Sequence, residues 1–281
     1  MSGALSAAPY AALMVAPNGA RRGKEDHPAL PITLEEIVAD AAACRRAGAD
    51  ALHLHVRDEN GAPSLDPGRY RETISAIGAA CGTAFAVQTS TETVGGFQPD
   101  DIHALLTALQ PSYASVALRD LMPAPADEPA AKRLFAWAAE AGVGLQHIIY
   151  QGADIARLAR LAPEGAPLSI LFALGRYAEA QIAAPASLAP LLATLMASPL
   201  APRALWMACA FGATETRCLA AAAALGGHCR AGFENNLSRG DGAIAASNAE
   251  RVSDVRRAID ALTLARPTPS QLRRILGAAE P

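Results

Sequence analysis

Eight short apolar, β-rich runs recur along the 281-residue chain, each followed by a loop and an amphipathic helical stretch, and this alternation limits the fold more than any other feature. The runs span 11–16, 51–56, 84–88, 113–117, 143–149, 168–173, 204–208 and 229–233. A crossover helix returns the chain so that each strand starts in the same direction as the last, which makes the sheet parallel. At this length, closure into an α/β (β/α)₈ TIM barrel is the economical solution, expected to occupy 1–281 as a single domain with a short C-terminal helix. A doubly wound open sheet competes with it, but the loop after the first strand reads Pro17-Asn18-Gly19-Ala20-Arg21 and holds no GxGxxG. Thr33-x-x-Glu36 and Ser247-x-x-Glu250 are capping boxes, in which hydroxyl and carboxylate satisfy the orphan amides of a helix start. Ser270, after Thr268-Pro269, opens the last helix, and Gly48 stands where the first should stop. The proline- and acid-rich stretch 123–129 reads as a loop leading into a helix near 130–141.

A 51% hydrophobic, 18% charged composition supplies a large core, and abundant alanine suits closely packed outer helices. The net charge of -3 and the lack of a basic block argue against nucleic-acid binding. The short cluster Arg21-Arg22-Gly23-Lys24 is better suited to gripping one small anion. Cys44, Cys81, Cys209, Cys218 and Cys229 are odd in number and form no CxxC pair, so reduced, mostly buried thiols are expected. No run approaches the roughly 18 apolar residues of a membrane span, and the N-terminus does not read as a signal peptide. A cytoplasmic protein with no membrane partner is expected.

The main chemical signal is Leu52-His53-Leu54-His55-Val56-Arg57-Asp58. Residues two apart on a strand face the same side, so His53 and His55 point together at the carboxyl end of the second strand, where barrel enzymes build their sites. Leu54 and Val56 would face the helices. Two such imidazoles can share a metal; the plainer reading is a pair of hydrogen-bonded structural histidines. Glu234 follows the eighth strand, which in a closed barrel is one strand removed from the second, and is the candidate third ligand; its plainer role is a surface pair with Arg239. A His₂Glu set leaves coordination positions open, the catalytic arrangement of zinc. Arg230 would sit inside the barrel, where an arginine needs an acid or a substrate carboxylate as partner. Ser90, with Thr89 and Thr91, and Ser115 offer hydroxyls to a carboxylate or carbonyl. His103 and His228 read as non-ligands, and His27, in a loop able to fold over the site, is open.

In combination, the His53–Asp58 segment, Gly61-x-Pro63-Ser64-Leu65-Asp66-Pro67 and Gly226-Gly227-His228-Cys229-Arg230-x-Gly232-Phe233-Glu234-Asn235-Asn236 resemble the motifs of the β-keto acid cleavage enzymes, the 3-keto-5-aminohexanoate cleavage enzyme family. The likeness runs nearly the whole chain and includes Ala16-Pro17-Asn18-Gly19-Ala20 and Ser247-Asn248-Ala249-Glu250. It implies a zinc-dependent barrel that condenses a β-keto acid with acetyl-CoA to give acetoacetate and an acyl-CoA by a retro-Claisen route. It also implies that His53, His55 and Glu234 hold Zn²⁺, that Arg230 belongs to the catalytic machinery, that Ser90 binds substrate, and that the assembly is a homo-oligomer, expected as a homotetramer.

Three positions depart from the family pattern. Asn235 replaces the usual aspartate, and an amide cannot take up a proton as a carboxylate can. His147 stands in place of an acidic residue near the end of the fifth strand and is a candidate compensating base. Ser115-Val116-Ala117 replaces a Thr-x-Asn pattern, so the polar lining at Ser115, and with it the preferred keto acid, should differ from that for aminohexanoate. Two other readings stand beside this one. A metal-dependent hydrolase on the same barrel would need no CoA, although amidohydrolase-like sites place their His-x-His on the first strand and add later histidines. A catalytically silent metal- or ligand-binding barrel would turn nothing over.

Overall fold

The computed structural model describes residues 9–165, 167–176 and 182–279. Eight parallel strands close into a barrel: β1 (Leu13–Val15), β2 (Ala51–Leu54), β3 (Ala86–Thr89), β4 (Tyr113–Ala117), β5 (Gly144–Ile149), β6 (Leu168–Leu174), β7 (Ala204–Ala210) and β8 (His228–Ala231). Each pairs with its neighbours in sequence, and β8 pairs back to β1 with Met14 opposite Arg230. That closure excludes the open sheet. The 51–56 run breaks at His55: β2 stops at Leu54, and Val56–Arg57 turns aside into a small antiparallel pair with Pro63–Ser64. The helix expected near 130 starts at Glu128 and runs to Glu140 as α5.

Strand alternation sorts the core into two layers. Leu52, Leu54, Val87, Val116, Ile170, Phe172, Trp206 and Ala208 face outward against the helices, and Val56 joins them. The opposite set, including Met14, Ala51, Ala86, Tyr113, Leu171, Met207 and Cys209, fills the lumen. Both sets are buried, so the sheet is covered on two faces, as parallel sheets are, with the polar His53, Gln88, Gln146, Ser169 and Arg230 interrupting the inner set. Truncating any one large side chain of this kind to alanine costs about 2–5 kcal/mol. The amino-terminal end of the barrel is sealed by α10 (Pro269–Ile275), the short C-terminal helix expected from the sequence, whose Leu272 and Ile275 pack into the lumen set. Its start is capped by Thr268, which accepts from the Gln271 N–H. The Thr33–Glu36 capping box opens α1 (Leu34–Arg46) as expected, and Ser247 accepts from the Glu250 N–H at the start of α9 (Asn248–Ala261).

At the other end, two features bring β8 against β1. Gly232 has φ +142°, and a Cβ there would lie 2.3 Å from the Ala16 carbonyl oxygen, so only glycine lets the strands approach this closely. Below it, Glu215, at the start of α8 (Glu215–Ala224), accepts from Arg251 at 2.7 Å and from the Gly232 N–H at 3.2 Å, with Glu215 and Arg251 both fully buried. This ion pair locks α8 and α9 to the turn that carries Glu234.

Candidate active site

The carboxyl ends of the strands bring His53, His55 and Glu234 together, and one ligand atom from each lies within 4.8 Å of the others. The two Nε2 atoms are 3.1 Å apart, and Glu234 Oε2 is 3.6 Å from that of His53 and 3.5 Å from that of His55. Glu234 Oε2 is buried and has no hydrogen-bond partner among the described residues. Its other oxygen accepts from Arg230 Nη2 at 2.9 Å, so the surface pair with Arg239 is not formed; Arg239 pairs instead with Asp241 and Glu250. Backbone turns hold the set in place. The Glu234 N–H donates to Ala16 O at 3.2 Å, and Asn18 Nδ2 donates to the carbonyl of His55 at 3.2 Å and of Pro31 at 3.0 Å. Gly19, at φ +62°, passes so close to Glu234 that a Cβ there would lie 2.6 Å from its Cγ.

Electrostatics follow from this geometry. Burial alone would raise Glu234, but Arg230 and the two imidazoles overturn it and hold the carboxyl well below its usual range, so it is ionised. Burial and the Arg230 charge push His53 well below the ordinary histidine value, so it is neutral, the form that binds metal. Arg230 is buried; Glu234 and Cys209 outweigh desolvation and raise it further. Its Nη2 also reaches Cys209 Sγ at 3.4 Å, while Nε and Nη1 have no partner among the described residues.

These groups open into a cavity of about 240 Å³ at the mouth of the barrel. Ser90 and Ser115 line it, as does Thr91, which donates to the Ser115 carbonyl at 2.8 Å. Ser90 Oγ accepts from the Glu92 N–H at 3.3 Å, and Ser115 Oγ is buried without a partner among the described residues. Thr89 Oγ1 is likewise buried without a partner among the described residues, and it does not line the cavity.

Two sequence candidates do not join them. His147 points away from the lumen, because its neighbours Gln146 and Ile148 take the inward positions of β5. Its ring packs edge-on against Phe135 of α5 at 4.7 Å, and burial drives its pKa down to about 3. The reading of His147 as a compensating base at the site is therefore corrected: strand alternation sends it to the helix layer. Asn235 is fully buried outside the cavity lining, and its backbone ties the turn through Gly232 O and the Gly212 N–H. Its side-chain oxygen and nitrogen have no partner among the described residues. The three remaining histidines lie outside the cavity lining. His27 bonds the Ala245 carbonyl at 2.8 Å and packs on Phe233, His228 accepts from the Ala12 N–H, and His103 lies on α3 (Pro99–Leu109).

The cavity also uses residues that the sequence reading did not single out: Glu92, Asp120, Tyr150, Arg176 and Phe211. Glu92 pairs with Arg21 at 3.2 Å and Arg176 at 3.6 Å, and Arg176 lies over the Phe211 ring at 4.9 Å. Burial and the nearby Glu92 raise the Asp120 carboxyl. Their common signal is position, since each follows the carboxyl end of a strand. Burial inside the lumen also marks Gln88, whose Oε1 is 2.9 Å from His53 Nδ1.

Fold and site define a closed (β/α)₈ barrel with a His₂Glu cluster and a buried arginine at its catalytic end. The sequence profile of the β-keto acid cleavage enzymes matches residues 11–278, and the chain belongs to that family of enzymes. It is 30% identical over 267 residues to a 3-keto-5-aminohexanoate cleavage enzyme of Fusobacterium nucleatum, covering 92% of this chain and 94% of that one. It is also 30% identical over 276 residues to a 3-oxoadipate:acetyl-CoA acetyltransferase of Cupriavidus necator, covering 94% of each. Among solved structures, the apo form of ObcA superposes with a TM-score of 0.71 at 20% identity, over 90% of this chain and 66% of that one, which is a likeness of fold.

Proposed function

We propose that the chain is a zinc-dependent enzyme that condenses a β-keto acid with acetyl-CoA, yielding acetoacetate and the CoA ester of the remaining acyl group. One observation carries the metal reading: the ionised Glu234 aims a buried, unpartnered oxygen at the same point as two imidazole nitrogens. That is the donor set of a three-ligand zinc centre with coordination left open. His53, His55 and Glu234 would hold the ion, which when bound supplies Lewis-acid polarisation of the keto acid's oxygens and acidifies its C2.

The chain's own residues do the rest. Arg230, buried and with two donor nitrogens that have no partner among the described residues, stabilises negative charge on the substrate oxygens as C2 loses its proton and attacks the thioester. Ser90 and Ser115 present hydroxyls to the carboxylate and keto group. With His147 outside the cavity and Asn235 unable to take a proton, the remaining carboxylates that line it are Glu92 and Asp120. Ile148, Tyr150, Ala173 and Phe211 form an apolar wall for the acyl group, and Arg21 and Arg22 give the mouth the positive charge that anionic substrates require. The chain acts as one barrel domain and assembles as a homotetramer in the cytoplasm. Among the described residues no helix is long and apolar enough to cross a membrane.

The test is a panel of β-keto acids, each with acetyl-CoA, before and after chelation. New acyl-CoA plus acetoacetate, lost on chelation and restored by zinc, is the expected result. Hydrolysis without CoA would point to a hydrolase, and no turnover of any acid to a silent barrel; either outcome overturns the proposal.

A further inference from the structure

We infer that Gln88, Gln146 and Ser169 are positioning residues. They form a one-way hydrogen-bond chain, anchored on the carbonyl of Ile275, that fixes the His53 proton on Nδ1 and leaves Nε2 as the ligand nitrogen. The chain crosses the barrel interior from α10 to the metal-binding cluster, and all three side chains are fully buried. Ser169 Oγ donates to Ile275 O at 2.6 Å, and Gln146 Nε2 donates to Ser169 Oγ at 3.1 Å. Gln88 Nε2 donates to Gln146 Oε1 at 3.2 Å, and Gln88 Oε1 faces His53 Nδ1 at 2.9 Å.

Its direction is forced from the far end. A backbone carbonyl only accepts, so the single Ser169 hydroxyl proton is committed to Ile275. The Ser169 oxygen must then accept, and the atom of Gln146 facing it must be the amide nitrogen. The Gln146 oxygen consequently faces Gln88 and takes that residue's amide N–H, which turns the Gln88 oxygen toward His53. An oxygen there requires a proton on Nδ1. The opposite tautomer would set two acceptors against each other at 2.9 Å between buried side chains. A neutral imidazole carries one proton, so Nε2 keeps its lone pair and points at His55 and Glu234. The device links a helix at the amino-terminal end of the barrel to the chemistry at the opposite end.

The inference rests on His53 being a metal ligand, but the tautomer can be read without metal. Metal-free protein carrying ¹⁵N-labelled histidine is examined by long-range ¹H–¹⁵N correlation at pH 8, with the His53 signals among the six histidines assigned by their loss in His53→Gln. A protonated Nδ1 and a lone-pair Nε2 are expected. In Gln88→Leu the fixed tautomer should be lost and the zinc Kd, measured by chelator competition, should rise about 10–100-fold. A wild-type Nε2–H tautomer, or an unchanged tautomer and Kd in Gln88→Leu, would overturn the relay; if that variant does not fold, the wild-type spectrum decides alone. A wild-type spectrum showing Nδ1–H in a protein that binds no metal would remove the proposed zinc chemistry and leave the relay standing.

Discussion

Replacing Gly19 with alanine separates the role of Glu234 as a ligand from the general stability of the barrel. Two costs follow from the geometry. The first is local: at φ +62° a Cβ meets the backbone clash of the left-handed region, about 1–2 kcal/mol for an L-residue, present with or without metal. The second is directed at the site. The new Cβ would lie 2.6 Å from Glu234 Cγ and 3.2 Å from its Cβ, where carbon atoms prefer about 3.5–4.0 Å. Glu234 therefore retreats by close to 1 Å, whereas metal–ligand bonds tolerate only about 0.2 Å. The zinc Kd should rise about 10–100-fold, comparable to loss of an orienting neighbour. Chelator competition reads the Kd, and urea unfolding in EDTA reads the metal-independent cost. A variant that lost about 1–2 kcal/mol in EDTA yet bound zinc as tightly as wild type would show that Glu234 is not a ligand.

Arg230→Lys should keep stoichiometric metal and lose turnover, because a point charge replaces the planar fork whose Nε and Nη1 have no partner among the described residues; normal turnover would make Arg230 merely structural. Arg251→Met leaves Glu215 buried without its countercharge and should lower unfolding free energy by about 3–5 kcal/mol, measured by urea titration. Acid should destabilise the fold through His147 and His228. Burial depresses their folded pKa values to about 3 and about 4, below the unfolded 6.5, so the unfolded chain takes up protons first and stability falls as pH drops below that value. Between pH 6.5 and 5 each contributes a loss of about 2 kcal/mol, so His147→Leu should lose about 2 kcal/mol less than wild type over that range. Equal losses would show that His147 is charged or exposed in the fold.

The eight-fold alternation and the His-x-His spacing are enough to place a barrel and to bring His53 and His55 together at its mouth, because both depend on strand periodicity, which is written locally. Glu234 was legible for the same reason, since the carboxyl end of the last strand must return beside the first. The same rule, applied residue by residue, would have excluded His147: in Gly144-Leu145-Gln146-His147-Ile148 the inward set that gives Gln146 to the lumen turns His147 outward. What stayed hidden was pairing between strands distant in sequence. Gln88 and Gln146 meet across 58 residues, and Ser169 meets Ile275 across 106. Nothing local to any of these residues marks its partner. The Glu215–Arg251 lock was hidden likewise, a buried ion pair that reads in sequence as two ordinary helix-surface charges.

Metal content is the most direct measure of whether two imidazoles and one carboxylate converge on an ion. Wild-type protein loaded with zinc and dialysed should retain about one equivalent per chain by mass spectrometry of the metal. His55→Ala should retain none while its circular dichroism matches wild type. Stoichiometric zinc in a folded His55→Ala variant would contradict the account.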